Sequence, residues 1–281
     1  MHESGTQVVR WQQIAFALAS LGLIALYAPT VHWLFDRWTM DVWHNAHGLL
    51  IPPVVAYFVH RELKQLRDLP ASQSARGFLI VVPALVLLVL DAAMRTQLLS
   101  AASLVLLLPG LALLVIGPPR TRAILFPLMF MALALPIPLG FTEQIHWQLR
   151  LLVTAMTAVL APLFGVPVHI EGTTLNFSGG SLEVADACSG FSVLYAAIAV
   201  ACLVAYSVES KSRAIAVLIC AAPLAIAANI LRVLLLVLLV QWKGIGILQT
   251  FIHPLSGMIT FVLVIPILVW LGERPVHREA D

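Results

Sequence analysis

The chain has 281 residues, 60% of them hydrophobic and only 11% charged, with a mean hydropathy of +0.96. A soluble globule of this size needs more polar surface than that, so the composition excludes one and points to a bilayer. A net charge of +2, with no dense basic run interleaved with aromatics, argues against nucleic acid as a partner.

Taken in order, apolar runs of roughly 20 residues, interrupted by charge, Pro-Pro pairs or Trp clusters, predict eight crossings. They fall near residues 11–30, 46–60, 77–94, 97–117, 122–141, 188–207, 213–233 and 254–272. The run after Arg10 lacks a small-x-small cleavage signature at Tyr27-Ala28-Pro29-Thr30, so it reads as a retained span and not as a signal peptide. Positive charge then sorts the sides. Arg10, the group Arg61, Lys64, Arg67 and Arg76, the pairs Arg120 and Arg122, Lys211 and Arg213, and Arg274 and Arg278 all fall on one side, which the positive-inside bias makes cytoplasmic. Both termini are therefore expected in the cytoplasm. Trp11, Trp33, Trp242 and Trp270 near span ends fit an interfacial belt.

Two apolar segments, 143–164 and 234–250, do not fit as crossings without reversing these sides, and both are placed at the outer interface. The first carries His146 and Arg150 one helical turn apart. The second also reads as an extension of the seventh helix, because Leu234 to Val240 is apolar all round. Between residues 168 and 186 the period changes to two. Thr174, Asn176 and Ser178 alternate with Leu175 and Phe177, and after Ser178-Gly179-Gly180-Ser181 the pair Leu182 and Val184 alternates with Glu183. The expected fold class is an all-α polytopic membrane protein, one domain over residues 1–281, with eight transmembrane helices, a small extracytoplasmic β-hairpin and interfacial helical segments.

The polar stretch Glu183-Val184-Ala185-Asp186-Ala187-Cys188-Ser189-Gly190 leads into the sixth span. Asp186 reads as an N-cap, which places Cys188 in the first helical turn, where free N–H groups and the helix dipole favour a thiolate. At about 1.5 Å per residue, a cytoplasmic end at Ser207 puts Cys188 at the outer surface, and the climb from Ala214 brings Arg232 to the same level. His253, before Pro254, lies at the outer end of the last span by the same count. Cys188 is then the candidate nucleophile and His253 the general acid and base. Arg232, with the backbone N–H groups of Cys188 and Ser189, would hold the oxyanion. Asn229, one turn below Arg232, could orient it by hydrogen bonding, or it bridges membrane helices without a part in the chemistry.

Each of these residues has a plain structural reading as well. A membrane cysteine is commonly packing, an arginine at a helix end snorkels, and a histidine before proline caps. Agreement in depth and the polar lead-in favour chemistry. Cys202 and Cys220 sit mid-span and read as inert, and Cys188 and Cys202 would lie about 20 Å apart along one helix, too far for a disulfide. His44 and His47 lack carboxylates at ligand spacing, so no metal is expected.

Asp186-Ala187-Cys188-Ser189-Gly190, Asn229-Ile230-Leu231-Arg232 and His253-Pro254-Leu255-Ser256-Gly257, in this order, carry a resemblance. So do His47-Gly48-Leu49-Leu50-Ile51-Pro52 and the run from Gly165-Val166-Pro167-Val168 through Glu171-Gly172. Over nearly its whole length the chain resembles the exosortase/archaeosortase family of polytopic membrane transpeptidases. The resemblance implies a Cys, Arg and His trio, which lands on Cys188, Arg232 and His253, and no cofactor. It implies as partners the C-terminal tails of exported proteins, each a short motif such as Pro-Glu-Pro, a transmembrane helix and a basic cluster. A bacterial inner-membrane location, an unidentified acceptor nucleophile and a link to exopolysaccharide or biofilm production and surface sorting are implied too. One departure is Asp186, where the family often has Glu. The alternative from another class is a transporter or flippase of exopolysaccharide export, with Arg232 and Asn229 lining a path for an anionic ligand. A non-catalytic scaffold is the third reading. Polar residues gathered at one face, and the lack of a repeat, favour the enzyme.

Overall fold

The computed structural model describes residues 2–39, 46–69 and 72–273. His44, Arg274 and Arg278 lie outside the described residues, as do the side chains of Arg10, His47 and His253. The helices are α1 (His2–Thr39), α2 (Ile51–Gln65), α3 (Phe78–Met94), α4 (Leu98–Phe130), α5 (Leu139–Leu160), α6 (Phe191–Ser207), α7 (Lys211–Lys243) and α8 (Ile252–Glu273). Three strands, β1 (His169–Glu171), β2 (Thr174–Phe177) and β3 (Gly180–Glu183), lie between α5 and α6. Among the described residues six helical stretches are long and apolar enough to cross a membrane: 13–39, 75–94, 98–134, 140–164, 211–243 and 255–273. The chain divides into two compact units, Met1–Pro136 and Ile137–Asp281.

Several segments depart from the expected spans. The second span, expected at 46–60, forms as α2 five residues later, and its 15 residues reach about 22 Å, less than the roughly 30 Å of a hydrocarbon core. The 122–141 span does not form one helix: α4 ends at Phe130, a 3-10 turn covers Met131–Ala134, and α5 starts at Leu139, after Pro138. The expected border between the fourth and fifth spans falls on Gly117, whose φ of 77° and ψ of 174° break α4 just before Pro118 and Pro119. A Cβ there would lie 1.8 Å from the Ser72 carbonyl oxygen, so only glycine fits. Residues 143–164, expected as a helical segment at the outer interface, fall in α5 and the 3-10 turn after it, a stretch that by length and composition is also apolar enough to cross.

In the first unit Tyr27, Val81, Ala84 and Leu107 form a buried cluster of α1, α3 and α4. Polar groups inside it are closed on each other. Tyr27 donates to Ser103 Oγ (2.5 Å), which donates to the Ala84 carbonyl (2.6 Å). The α3–α4 turn takes Arg95 and Gln97 into the left-handed region (φ 54° and 63°). Buried Asp91 holds that turn by accepting from Ser100 Oγ (2.5 Å), from Thr96 Oγ1, and from the backbone N–H groups of Gln97 and Leu99.

The second unit packs α6, α7 and α8 through small residues at helical spacing. Ala197 and Ala201 of α6 meet Val217, Ala221 and Ala225 of α7, with Val264 and Leu268 of α8 in the same cluster. The strands form an antiparallel meander in the order β1-β2-β3, with Ile170, Leu175 and Leu182 in register. Strands β2 and β3 make the expected hairpin, and β1 adds an edge. The alternation works as predicted: Leu175, Leu182 and Val184 are buried and pack with Val233, Leu236 and Val237 of α7. This apolar floor explains why α7 continues to Lys243 and does not stop near residue 233. Thirty-three residues reach about 50 Å, so the last turns of α7 outreach a hydrocarbon core and carry the sheet. Gly179 lets the hairpin turn approach Gln241, where a Cβ would sit 2.7 Å from the Gln241 Cα, and Gln241 Nε2 donates to Ser178 Oγ (2.9 Å).

Candidate active site

Cys188 ends a 3-10 turn, Asp186–Cys188, that precedes α6. The helix itself starts at Phe191, after Gly190 in the left-handed region (φ 86°). Asp186 is therefore not the N-cap of α6, and Cys188 is not in its first turn. The geometry also removes the expected backbone oxyanion donors. The Cys188 N–H donates to the Ala185 carbonyl (2.8 Å) and the Ser189 N–H to the Asp186 carbonyl (3.1 Å), because a 3-10 turn uses those groups to close itself. Of the groups assigned to the oxyanion, the Arg232 guanidinium is the one not committed to closing the turn.

Asn229 and Arg232 are both buried on α7. Of the two readings of Asn229 the bridging one holds: its Nδ2 donates to the Cys188 carbonyl (3.0 Å), a bond between residues 41 apart in the chain. Gly190 makes room for it, since a Cβ there would lie 2.6 Å from Asn229 Cγ. Arg232 is held from α8, where its Nε donates to Ser256 Oγ (3.0 Å) and its guanidinium lies 3.6 Å from the position a Gly257 Cβ would take. Burial pushes the Cys188 thiol up from its ordinary value, and the Arg232 charge draws it partly back. His253 is the second residue of α8, three before Ser256, and α8 begins at Ile252, two residues earlier than expected.

A cavity of about 140 Å³ lies between α7 and α8, lined by Arg232, Ser256 and Thr260 amid Leu235, Leu239 and Ile259. Among its described lining residues Arg232 is the one cation, in a largely aliphatic groove that Cys188 does not line.

On the other flank of the turn stands α5. His146 Nδ1 lies 2.8 Å from Ser189 Oγ, its ring is 4.6 Å from that of Phe191, and Arg150 Nε is 3.4 Å from Asp186 Oδ1. The sequence showed His146 and Arg150 one turn apart but gave them no part in the site. Ser256 stood inside a motif without a role. Their spacing was the available signal; what it lacked was the turn they meet.

The family model described as transmembrane exosortase matches residues 38–270. No curated protein matches, and no solved structure does.

Proposed function

Because the chain belongs to the transmembrane exosortase family, we propose that it is a membrane cysteine transpeptidase that cuts C-terminal sorting tails of exported proteins, with Cys188, Arg232 and His253 as its working residues. Cys188 Sγ attacks the carbonyl carbon of a peptide bond near the tail's motif, and the thiol proton passes to His253. The negative charge that forms on the carbonyl oxygen is held by the Arg232 guanidinium. Collapse breaks the C–N bond, the departing amine takes the proton from His253, and a thioester remains on Cys188. An amine or hydroxyl acceptor, or water, is then deprotonated by His253 and attacks that thioester, which frees the thiol.

The observation that supports this reading is a buried arginine, locked by Ser256, on the same helix as the Asn229 that holds the Cys188 carbonyl. Arginine stays protonated at any working pH, so it serves charge stabilisation better than proton transfer. With residues 143–164 kept at the outer interface, the positive-inside bias favours cytoplasmic termini and a site at the outer face, and the family favours a bacterial inner membrane. A tail with a transmembrane helix and a basic cluster would present its motif there, which fits surface sorting in exopolysaccharide-producing cells.

The test co-expresses a tail-bearing protein with wild type, Cys188→Ala, Arg232→Ala and His253→Ala. Loss of cleavage in all three variants, and a hydroxylamine-sensitive adduct in wild type that is absent from Cys188→Ala, are expected. Equal cleavage by all four chains ends the proposal.

A further inference from the structure

We propose that α5 is the positioning arm of the cysteine turn, with His146 and Arg150 fixing Ser189 and Asp186 on either side of Cys188. The inference rests on Cys188 being the nucleophile. Two side chains one helical turn apart reach the residue after the cysteine and the second residue before it, by a 2.8 Å hydrogen bond and a 3.4 Å ion pair. With Asn229 holding the Cys188 carbonyl from α7, the turn is gripped at three points by two helices. The local hydrogen bonds of residues 185–191 close the turn on itself, while these long-range contacts tie it to α5 and α7, and misplacement by about 1 Å can cost a hundredfold in rate.

Counting protons assigns the histidine's role. The Ser189 hydroxyl has one hydrogen, which goes to the Asp186 carbonyl at 2.7 Å. Its oxygen accepts the Phe191 N–H (3.3 Å) and has one lone pair left for His146. His146 Nδ1 must therefore be the donor, which sets the tautomer by the network. The Phe191 ring, 4.6 Å from the imidazole, holds its orientation. The arrangement asks His146 for one N–H at the Nδ1 position, and asparagine supplies an N–H close to that place.

The experiment measures tail processing by His146→Ala and His146→Asn beside wild type and Cys188→Ala. His146→Ala should lower kcat by ten- to a hundredfold with KM within about threefold, and His146→Asn should recover at least a third of the wild-type rate. Arg150→Ala and Asp186→Asn should each lose about threefold, and the double variant no more than either alone, because they break one pair. If asparagine fails as badly as alanine, if His146→Ala is as active as wild type, or if the Arg150 and Asp186 losses multiply, the arm is overturned. Alkylation of Cys188 by a small thiol reagent, with Cys202→Ser and Cys220→Ser removing the other thiols, gives a readout independent of turnover. His146→Ala should change that rate severalfold and His146→Asn should restore it; an unchanged rate rejects the arm. Persistent processing by Cys188→Ala defeats the thioester reading instead, and the alkylation rates still judge the arm.

Discussion

Two joints in this molecule look alike and are held in opposite ways. The α3–α4 turn and the Cys188 turn each place a left-handed residue, Gln97 or Gly190, directly before an apolar helix. The first is secured from inside its own hairpin: Asp91 takes hydroxyls only five and nine residues away. The second is secured from outside, by partners 43 and 41 residues distant on α5 and α7. A locally closed turn folds as a unit and connects two helices. A turn whose anchors come from separate helices takes its position from the packing of those helices, which is what a reacting sulfur requires.

The widest break in this contrast is expected from Gly190→Ala. The left-handed backbone costs an alanine about 1–2 kcal/mol, and the new Cβ would sit 2.6 Å from Asn229 Cγ, so the Cys188 carbonyl loses its donor as well. Processing should fall more than a hundredfold while the protein still inserts; a loss under threefold contradicts the account. A graded effect should come from pH. Burial raises the Cys188 thiol above its ordinary value, so the reactive thiolate grows as pH rises, and alkylation should climb about tenfold per unit through and beyond pH 8.5. Arg232→Gln should move that climb to still higher pH. A profile already flat at neutral pH would mean an activated thiolate and a different electrostatic balance. The smallest effect on chemistry should come from Asp91→Ala. It strands several buried donors and costs roughly 2–3 kcal/mol, read as lower membrane yield or melting temperature. Processing per folded molecule should remain within twofold.

The apolar runs and the shift to a two-residue period at 168–186 were legible in the chain, because helix and strand periods are local properties. The length of α7 was harder. Leu234 to Val240 is apolar all round, and what it packs against is a sheet formed more than 50 residues earlier in the chain. Likewise the Cys188 and Ser189 N–H groups seemed available until the turn proved to be 3-10 and to use them itself.

Amino-acid order alone therefore determined that this is a membrane chain and where most of its apolar stretches lie, and it singled out the sulfur, guanidinium and imidazole that we propose for the chemistry. Only the tertiary structure decided how the cysteine is held: that α5 is a long apolar helix reaching the Cys188 turn, that Asn229 serves the cysteine's carbonyl, and that Ser256 locks Arg232. The reason is physical. Periodicity reports which face of a helix is apolar, but a hydrogen bond needs two groups within about 3 Å, and helices distant in sequence achieve that only once their packing has set rotation and height.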